Sequence, residues 1–450
     1  LFIIERSLRN FRKTSPRRHQ VRKNIPTERF SPISRLGNTD ALISLLIWVF
    51  FVAACIPILS FEQIRGQHYL DAALTTVILV LVCVTIAVYI YHYKRRIASN
   101  RARAIALACL YVVLLFAAKI GVFISGCTWP VTASAVAVAI ILSIAYYQRF
   151  SLGMSVLFCL LASLAVRSTP HNSDQLTNID LLLTTIAGAI TCCFSLKEVR
   201  TRMRLLQVST LASVIVFLTA VSLGFQYLQS QPTVIVKNAG FHAGITLAVG
   251  VLVQGLLPII EKAFRIATSM TLLDFSDANQ PLLKRLHMEA PGTFTHSLLI
   301  GSIAEAAAEA IGRNGLLCRV GAYYHDIGKI NKPGYFVENE MGSASRHKEL
   351  TPAMSQLVIV GHVKDGIELA KEYGLPSVLL QFVETHHGTT LIEHFYHEAK
   401  EQAARNFKAK SLAAPAESEF RYPGPKPRTK EAAIVMLADS VEGAVRSLKE

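Results

Sequence analysis

His325 and Asp326 stand side by side at the end of an apolar run, in Tyr324-His325-Asp326-Ile327-Gly328-Lys329. A neutral imidazole beside a hard carboxylate puts a nitrogen and an oxygen within reach of one metal ion. Alone the dipeptide is a weak signal; its weight comes from His296 before it and His362, His386, His387 and Asp439 after it. Nine of the fourteen histidines lie beyond residue 286. Imidazoles with two aspartates and no nearby cysteine suit manganese, iron or a similar divalent ion better than structural zinc or calcium. An aspartate can donate one oxygen to each of two ions, and ions about 4 Å apart can polarise a phosphoryl oxygen and stabilise a leaving oxygen. Asp326 is the natural bridge, because His325 already commits it to the site. These seven residues point to two-metal hydrolysis.

Ligands scattered this widely need several helices to converge on one core. Helical periodicity places segments at 295–313, 316–325, 352–372, 376–387, 390–407 and 430–448, and no strand-like alternation of useful length interrupts them. His296 then opens one helix and His325-Asp326 ends the next. Adjacent side chains on a helix point about a third of a turn apart, so His386-His387 serves one site only at a helix end, which Gly388 supplies. A lone histidine in a helical domain is more often a surface or satisfied core residue. His394 and His397, an i, i+3 pair on a solvated helix, are set aside on that ground, and His287 reads as a cap or a contact to the preceding connector. Between the last two segments, 408–429 is an Ala/Pro/Lys/Arg-rich loop, long enough for a flap or a partner surface.

The first 260 residues have a different character. The chain is 52% apolar with mean hydropathy +0.38, too high for a soluble enzyme of 450 residues. Eight apolar runs, roughly 41–61, 71–93, 103–126, 130–147, 151–166, 180–196, 208–225 and 239–260, read as membrane spans. The net charge of +15 raises the question of nucleic acid, but its distribution favours a positive-inside signal. Residues 1–39 carry ten Lys/Arg against Glu5 and Glu28, and the connections around Lys94-Arg95-Arg96 and Lys197 to Arg204 are basic on the same side. The opposite connection at 167–179 carries little positive charge. The partner expected is therefore a lipid bilayer, with no nucleic acid. Eight crossings return the chain to the cytoplasm at Glu261-Lys262. The spans hold few ionisable groups, Lys119 and an interfacial His242, which makes a transporter a distant reading. Seven of the eight cysteines lie in or beside these runs and read as small packing residues. The organisation expected is a basic tail at 1–40, a transmembrane region at 41–260, a connector at 261–285 and an all-helical domain at 286–450. The fold class is thus all-α, a polytopic transmembrane helix bundle followed by an all-helical domain. A first residue other than Met and a last residue falling in mid-helix read as a fragment.

With these residues in place the sequence resembles a known family. His325-Asp326, with His296 before and Asp439 after, is similar to the HD-domain metal-dependent phosphohydrolases. The motifs Glu289-Ala290-Pro291-Gly292-Thr293-Phe294-Thr295-His296-Ser297, Gly321 to Lys329, His386-His387-Gly388-Thr389-Thr390 and Tyr422-Pro423-Gly424-Pro425-Lys426-Pro427 resemble the seven-transmembrane HD (PgpH-type) cyclic di-AMP phosphodiesterases. The resemblance covers about residues 41–450. It implies that His296, His325, Asp326 and Asp439 hold one iron or manganese ion and that Asp326, His362, His386 and His387 hold a second. It further implies hydrolysis of cyclic di-AMP to linear pApA at a cell (inner or plasma) membrane with the catalytic domain cytoplasmic, and it leaves a homodimer open. Lys329 follows the HD pair at a spacing that brings its ammonium toward a phosphate, in a catalytic or substrate-binding role, or toward its own helix dipole. Two departures stand out. Only residues 62–70 separate the first two spans, where the family carries a large extracellular domain. Ser345-Arg346-His347 replaces Asn-Pro-His and Glu340 replaces a glutamine, so His347 is expected near substrate in an altered loop.

Two rivals differ in what they predict. A different nucleotide substrate would leave the same site, since metals recognise phosphate and not the base. A non-enzymatic receptor keeping only the HD fold would bind no metal, whereas the enzyme holds two ions per chain.

Overall fold

The structure is a computed structural model, and it describes residues 38–93, 101–164, 178–196, 199, 201–227, 231–340, 346–406 and 415–448. The basic tail at 1–37 and the connections at 94–100 and 165–177, on which the charge-topology reading rests, lie outside the described residues. Contacts divide the chain into two units, residues 1–46 and 47–450. Of the first, only the opening turns of the first helix are described; the second holds every other element.

Eight helices precede residue 265 among the described residues: α1 Asn38–Arg65, α2 Tyr69–Tyr93, α3 Arg101–Ser125, α4 Trp129–Ala145, α5 Gln148–Leu164, α6 Asn178–Ser195, α7 Arg202–Tyr227 and α8 Pro232–Phe264. Five of them, α1, α2, α3, α7 and α8, are long and apolar enough to cross a bilayer, and α4, α5 and α6 are shorter apolar helices. Their outer faces stay apolar: Phe50, Leu70, Leu81, Phe123 and Ile124 are all more than 60% exposed. That is the pattern of helices solvated by lipid, since backbone groups are satisfied within each helix and the outward side chains need no water. At the centre, α4 is apolar on every side and buried at Pro130–Thr132 and Ser134–Ser143, touching α3, α5, α6 and α8. The α4–α5 break falls at Tyr146-Tyr147, where Tyr146 is extended, and Gln148-Arg149-Phe150 opens α5 rather than linking the two spans. His242 is 3% exposed, with Nδ1 at 2.8 Å from Thr132 Oγ1 and Nε2 at 3.4 Å from Thr128 Oγ1, so two hydroxyls satisfy the ring inside the bundle.

Beyond α8 come α9 Ser269–Phe275, α10 Pro281–Glu289, α11 Pro291–Ala310, α12 Gly315–Tyr324, α13 Pro352–Glu372, α14 Ser377–Thr385, α15 Glu393–Asn406 and α16 Lys430–Ser447. Among the described residues the only β-type contact is an isolated bridge between Leu391 and Arg421, and the all-helical class holds. Helix α11 starts a turn earlier than its apolar face suggests, because Pro291 fits the first turn, where its missing N–H is not needed. Helix α12 is the keystone. Asn314 caps it by accepting from Leu317 N–H at 2.9 Å. Val320 and Tyr324 face a core with Leu282, Leu286, Leu369 and Val383, while Cys318 and Ala322 face another with Ile300, Phe382 and Val435. A short helix packed on two sides has a fixed end, and that end is His325-Asp326.

Candidate metal centre

Five elements deliver the seven residues. His296 lies one turn into α11. His325-Asp326 closes α12, just before a 3-10 turn at Ile327–Asn331. His362 lies on α13, His386 caps α14 with His387 next to it, and Asp439 lies on α16. Gly328 lets the 3-10 turn approach α13: a Cβ there would sit 1.8 Å from the His362 carbonyl oxygen, so any side chain would push the two ligand-bearing segments apart. Gly388 has φ +54, the left-handed turn that ends α14 and lets His386 and His387 serve one centre.

Asp326 is 1% exposed, and its two oxygens face different residues. Oδ1 lies 3.3 Å from His362 Nε2 and 3.4 Å from His386 Nε2. Oδ2 lies 3.2 Å from His325 Nε2 and 3.6 Å from His296 Nε2. Asp439 Oδ1 adds a second carboxylate, 3.2 Å from His296 Nε2 and 3.9 Å from His325 Nε2. Its Oδ2 lies 3.9 Å from His387 Nδ1. The donor atoms of Asp326, His362, His386 and His387 lie within 4.8 Å of one another, as do those of His296, His325 and Asp326. One carboxylate thus joins two groups of nitrogen donors.

The tautomers bear on whether a cation fits. His325 Nδ1 lies 2.6 Å from Ala322 O, His362 Nδ1 bonds Ile359 O, and His386 Nδ1 reaches Phe382 O and Val383 O at 3.1 and 3.0 Å. A carbonyl only accepts, so each Nδ1 carries the hydrogen; neutral His362 and His386 aim Nε2 lone pairs at Asp326, and His325 does so once its Nε2 proton has left. His362 and His386 bring those lone pairs to 3.2 Å. His325 Nε2 and Asp326 Oδ1 are buried without a hydrogen-bond partner. Lone pairs converging on a carboxylate in a dry interior repel, and divalent cations remove the repulsion. The donor set fits metal.

Charge tells the same story. Among the described residues Asp326, Asp439, Glu338 and Glu442 cluster with Lys329 and Arg446 as fixed cations, which leaves a net negative centre while the rings are neutral. Burial opposes charge on His325, yet Asp326 and Asp439 beside it hold its pKa up to about 9 in the metal-free protein. Burial likewise opposes ionisation of Asp326, but His325 and Lys329 hold its carboxyl well below the carboxylate range. Asp439 is held low against its burial by the bond from His296 and the charge of His325. Burial, with the neighbouring rings adding to it, pushes His386 and His387 down, so both stay neutral.

Lys329 and His347 are placed differently from the ligands. Lys329 Nζ sits 2.7 Å from Asp326 Oδ2 and 2.7 Å from Glu338 Oε1, over the Phe336 ring at 4.9 Å, and is only 9% exposed. Its ammonium is occupied by two carboxylates. His347 points Nε2 at Tyr335 O, 2.8 Å away, with its ring against Tyr335 and Phe395. The described contacts bring it to none of the seven residues. His287 packs on Phe294, while His394 and His397 lie against Phe395 and Tyr396.

Residues 407–414 lie outside the described residues, and the rest of the 408–429 loop forms a wall. Ile392 N–H donates to Phe420 O at 2.9 Å and Tyr422 N–H to Thr390 O at 3.0 Å, which pins the strand-like stretch beside His387-Gly388. Tyr422 is 8% exposed and stacks on His387, with centroids 4.2 Å apart and planes at 23°. The ring screens one face of the centre. From sequence Tyr422 was named only as the first residue of a motif, with no role, and Glu338 and Glu442 were not singled out. No spacing pointed to the two glutamates.

A lipid-solvated helical bundle joined to a helical domain with a buried His/Asp centre defines a membrane-anchored protein of the HD type. Residues 69–268 match the family model of the 7TM receptor with intracellular HD hydrolase, and residues 293–444 match that of the HD domain. The chain is accordingly a multi-pass membrane protein with an intracellular HD domain, and it is a homologue of the PgpH proteins. It is 47% identical over 201 residues to the cyclic-di-AMP phosphodiesterase PgpH of Bacillus subtilis (strain 168), a match that covers 45% of this chain and 27% of that protein. It is 44% identical over 246 residues to the cyclic-di-AMP phosphodiesterase PgpH of Listeria monocytogenes serotype 1/2a (strain 10403S), covering 55% and 30%. A crystal structure of the L. monocytogenes PgpH HD domain in complex with cyclic-di-AMP matches at 47% identity over 38% of this chain and 76% of that one, with TM-score 0.35. The chain spans less than a third of the length of these two curated relatives.

Proposed function

We propose that this chain is a membrane-anchored, metal-dependent phosphodiesterase that hydrolyses cyclic di-AMP to linear pApA. The observation that carries the reading is the division of Asp326. Oδ1 faces His362 and His386, and Oδ2 faces His296 and His325. The curated relatives named as cyclic-di-AMP phosphodiesterases, at 47% and 44% identity, support the choice of substrate.

In this reading His296, His325, Asp326 and Asp439 hold one ion, and Asp326, His362, His386 and His387 hold the other. Iron or manganese suits the imidazole and carboxylate donors. When bound, two such ions supply Lewis acidity at a phosphoryl oxygen and a water activated at neutral pH. The chain's own residues prepare that chemistry. Asp326 fixes the spacing of the two groups, and the backbone carbonyls of α12, α13 and α14 hold three rings in the ligating tautomer. Tyr422 shields His387 from solvent. Lys329 keeps Asp326 ionised and in place, with two carboxylates on its ammonium and a third N–H left to donate. The division assigned is membrane region 41–260, connector 261–285 and HD domain 286–450, in an inner or plasma membrane.

The test is turnover by the purified full chain in detergent. With Mn²⁺ or Fe²⁺ supplied anaerobically, it should cleave cyclic di-AMP in a panel of cyclic dinucleotides and bind about two ions per chain. Asp326→Ala should abolish cleavage while the bundle stays folded. Full hydrolysis by that variant would sink the site assignment; a wild type without metal would favour a receptor; cleavage of another nucleotide alone would move the substrate. Light scattering on the same preparation tests for a homodimer.

A further inference from the structure

Of the four buried histidines at the centre, His296 is oriented by a route of its own. His325, His362 and His386 each turn Nδ1 to a backbone carbonyl three or four residues earlier on the same helix. His296 turns Nδ1 to α16 instead, where it lies 2.8 Å from Glu442 Oε2 and 3.1 Å from Arg446 Nη2. A guanidinium can only donate, so these two contacts require opposite tautomers. An Nδ1 that accepted from Arg446 would put the hydrogen on Nε2, the atom that lies 3.2 Å from Asp439 and 3.6 Å from Asp326. That tautomer cannot ligate. With Nδ1–H donating to Glu442, Nε2 is free for the centre.

The geometry of α16 serves this arrangement. Asp439, Glu442 and Arg446 fall at i, i+3 and i+7, on one face of the helix. Arg446 Nη2 and Nε hold Glu442 Oε1 at 2.6 and 3.2 Å, which leaves Oε2 for the ring. The carboxylate is 11% exposed, and Oε2 is buried without a hydrogen-bond partner: His296 Nδ1 lies 2.8 Å away as its close neighbour, while the hydrogen bond at Nδ1 is with Arg446 Nη2. Arg446 also stands 3.8 Å from Glu338, which holds Lys329, which holds Asp326. The two charge-bearing sides of the centre are thus tied together behind the ligands.

We propose that Glu442 is a positioning residue of the centre: it fixes the tautomer and direction of His296 as a metal ligand, and Arg446 fixes Glu442. The assignment deepens the two-ion reading and rests on it. Partners of this kind raise the basicity of a ligating ring, and their loss weakens metal binding about 10–100-fold.

The experiment is a calorimetric titration of the metal-free full chain with Mn²⁺, in wild type and two variants. Glu442→Ala should weaken uptake at the His296 ion by about 10–100-fold and leave the His362/His386/His387 ion unchanged, with no fall in the metal-free unfolding temperature. Glu442→Gln combined with Arg446→Met should restore uptake, because the amide oxygen still accepts from Nδ1 and no guanidinium opposes the amide N–H. Equal weakening of both ions, unchanged uptake in Glu442→Ala, or failure of the double variant to restore it would each overturn the assignment. A wild type that binds two ions while Glu442→Ala behaves identically removes only the role of Glu442. A wild type that binds none removes the two-ion reading and this assignment with it.

Discussion

His362 and His386 meet Nε2 to Nε2 at 3.2 Å while each Nδ1 is committed to a backbone carbonyl. The metal-free fold therefore holds two lone pairs against each other beside the Asp326 carboxylate, a local cost that an ion converts into ligation. Mn²⁺ should raise the unfolding temperature of the full chain, with stabilisation of about 2.7 kcal/mol at a free concentration a hundred times the dissociation constant. His386→Leu should do the reverse of an ordinary ligand deletion. It should leave the metal-free form as stable as wild type or more so, since an apolar side chain replaces an opposed polar one, and it should blunt the response to Mn²⁺. Thermal unfolding followed by fluorescence, with and without Mn²⁺, reads both effects. An unchanged wild-type temperature across a Mn²⁺ series would remove the basis for a metal centre.

Metal uptake should also release a proton. His325 is raised from 6.5 to about 9 in the metal-free protein, while Asp326 and Asp439 are held ionised and His386 and His387 neutral. The stabilisation from the charged His325 is fully present below its unfolded pKa and is lost as pH rises through about 9. An ion needs His325 neutral, so between roughly pH 6.5 and 9 uptake displaces about one proton per chain and affinity climbs about tenfold per pH unit. Mn²⁺ titrations in two buffers of different ionisation heat measure that proton directly. No proton release between pH 7 and 8 would contradict the charge balance drawn for the centre.

Much of this was open to reading in the sequence, for identifiable reasons. His325-Asp326 after an apolar run and His386-His387 before Gly388 announce themselves because ligands must sit at helix ends that side chains can share. Runs of apolar residues announce the membrane helices because lipid tolerates little else. The arrangement behind the ligands was not legible. Glu442 and Arg446, four apart near the end of a helix, look like any solvated i, i+4 pair, and only the packing of α11 on α16 gives them His296 to act on. The spacing of Lys329 gave no sign of Glu338, brought in by a turn nine residues later. The hydroxyls that satisfy His242 were not legible because Thr128 and Thr132 lie more than a hundred residues away.

The Lys329 ammonium sits between Asp326 and Glu338, 2.7 Å from each, and both carboxylates hold its pKa up against burial. Removing it would leave two buried carboxylates facing each other without a counter-charge. Lys329→Met should therefore destabilise the metal-free chain by about 3–5 kcal/mol, and adding Glu338→Gln should recover a good part of that loss. A residue whose main task is to touch substrate phosphate would behave otherwise: its loss would raise KM with little change in unfolding temperature. A double-mutant cycle read by thermal unfolding, with KM measured beside it, separates the two roles.

The last membrane-region helix ends in a clasp that leads toward the centre. Glu261 on α8 accepts from Thr268 N–H at 2.7 Å and from Thr271 Oγ1 at 2.8 Å, which fixes the start of α9. Met270 N–H donates to Val199 O at 3.1 Å, and Tyr324, next to His325, donates its hydroxyl to Phe275 O at the end of α9 at 2.9 Å. Hydrogen bonds to a charged acceptor contribute about 1.5–3 kcal/mol each. Glu261→Ala should then speed amide hydrogen exchange across Thr268–Phe275 by about tenfold or more, and the increase should extend to Tyr324 through its bond to Phe275. In a Glu261→Ala/Tyr324→Phe double variant the first increase should remain while Tyr324–Asp326 no longer responds to the state of Glu261. Exchange mass spectrometry on the full chain reads both segments at once. If α9 exchanges at the wild-type rate without Glu261, the clasp does not hold it, and α9 is not a route by which the membrane helices act on the HD pair.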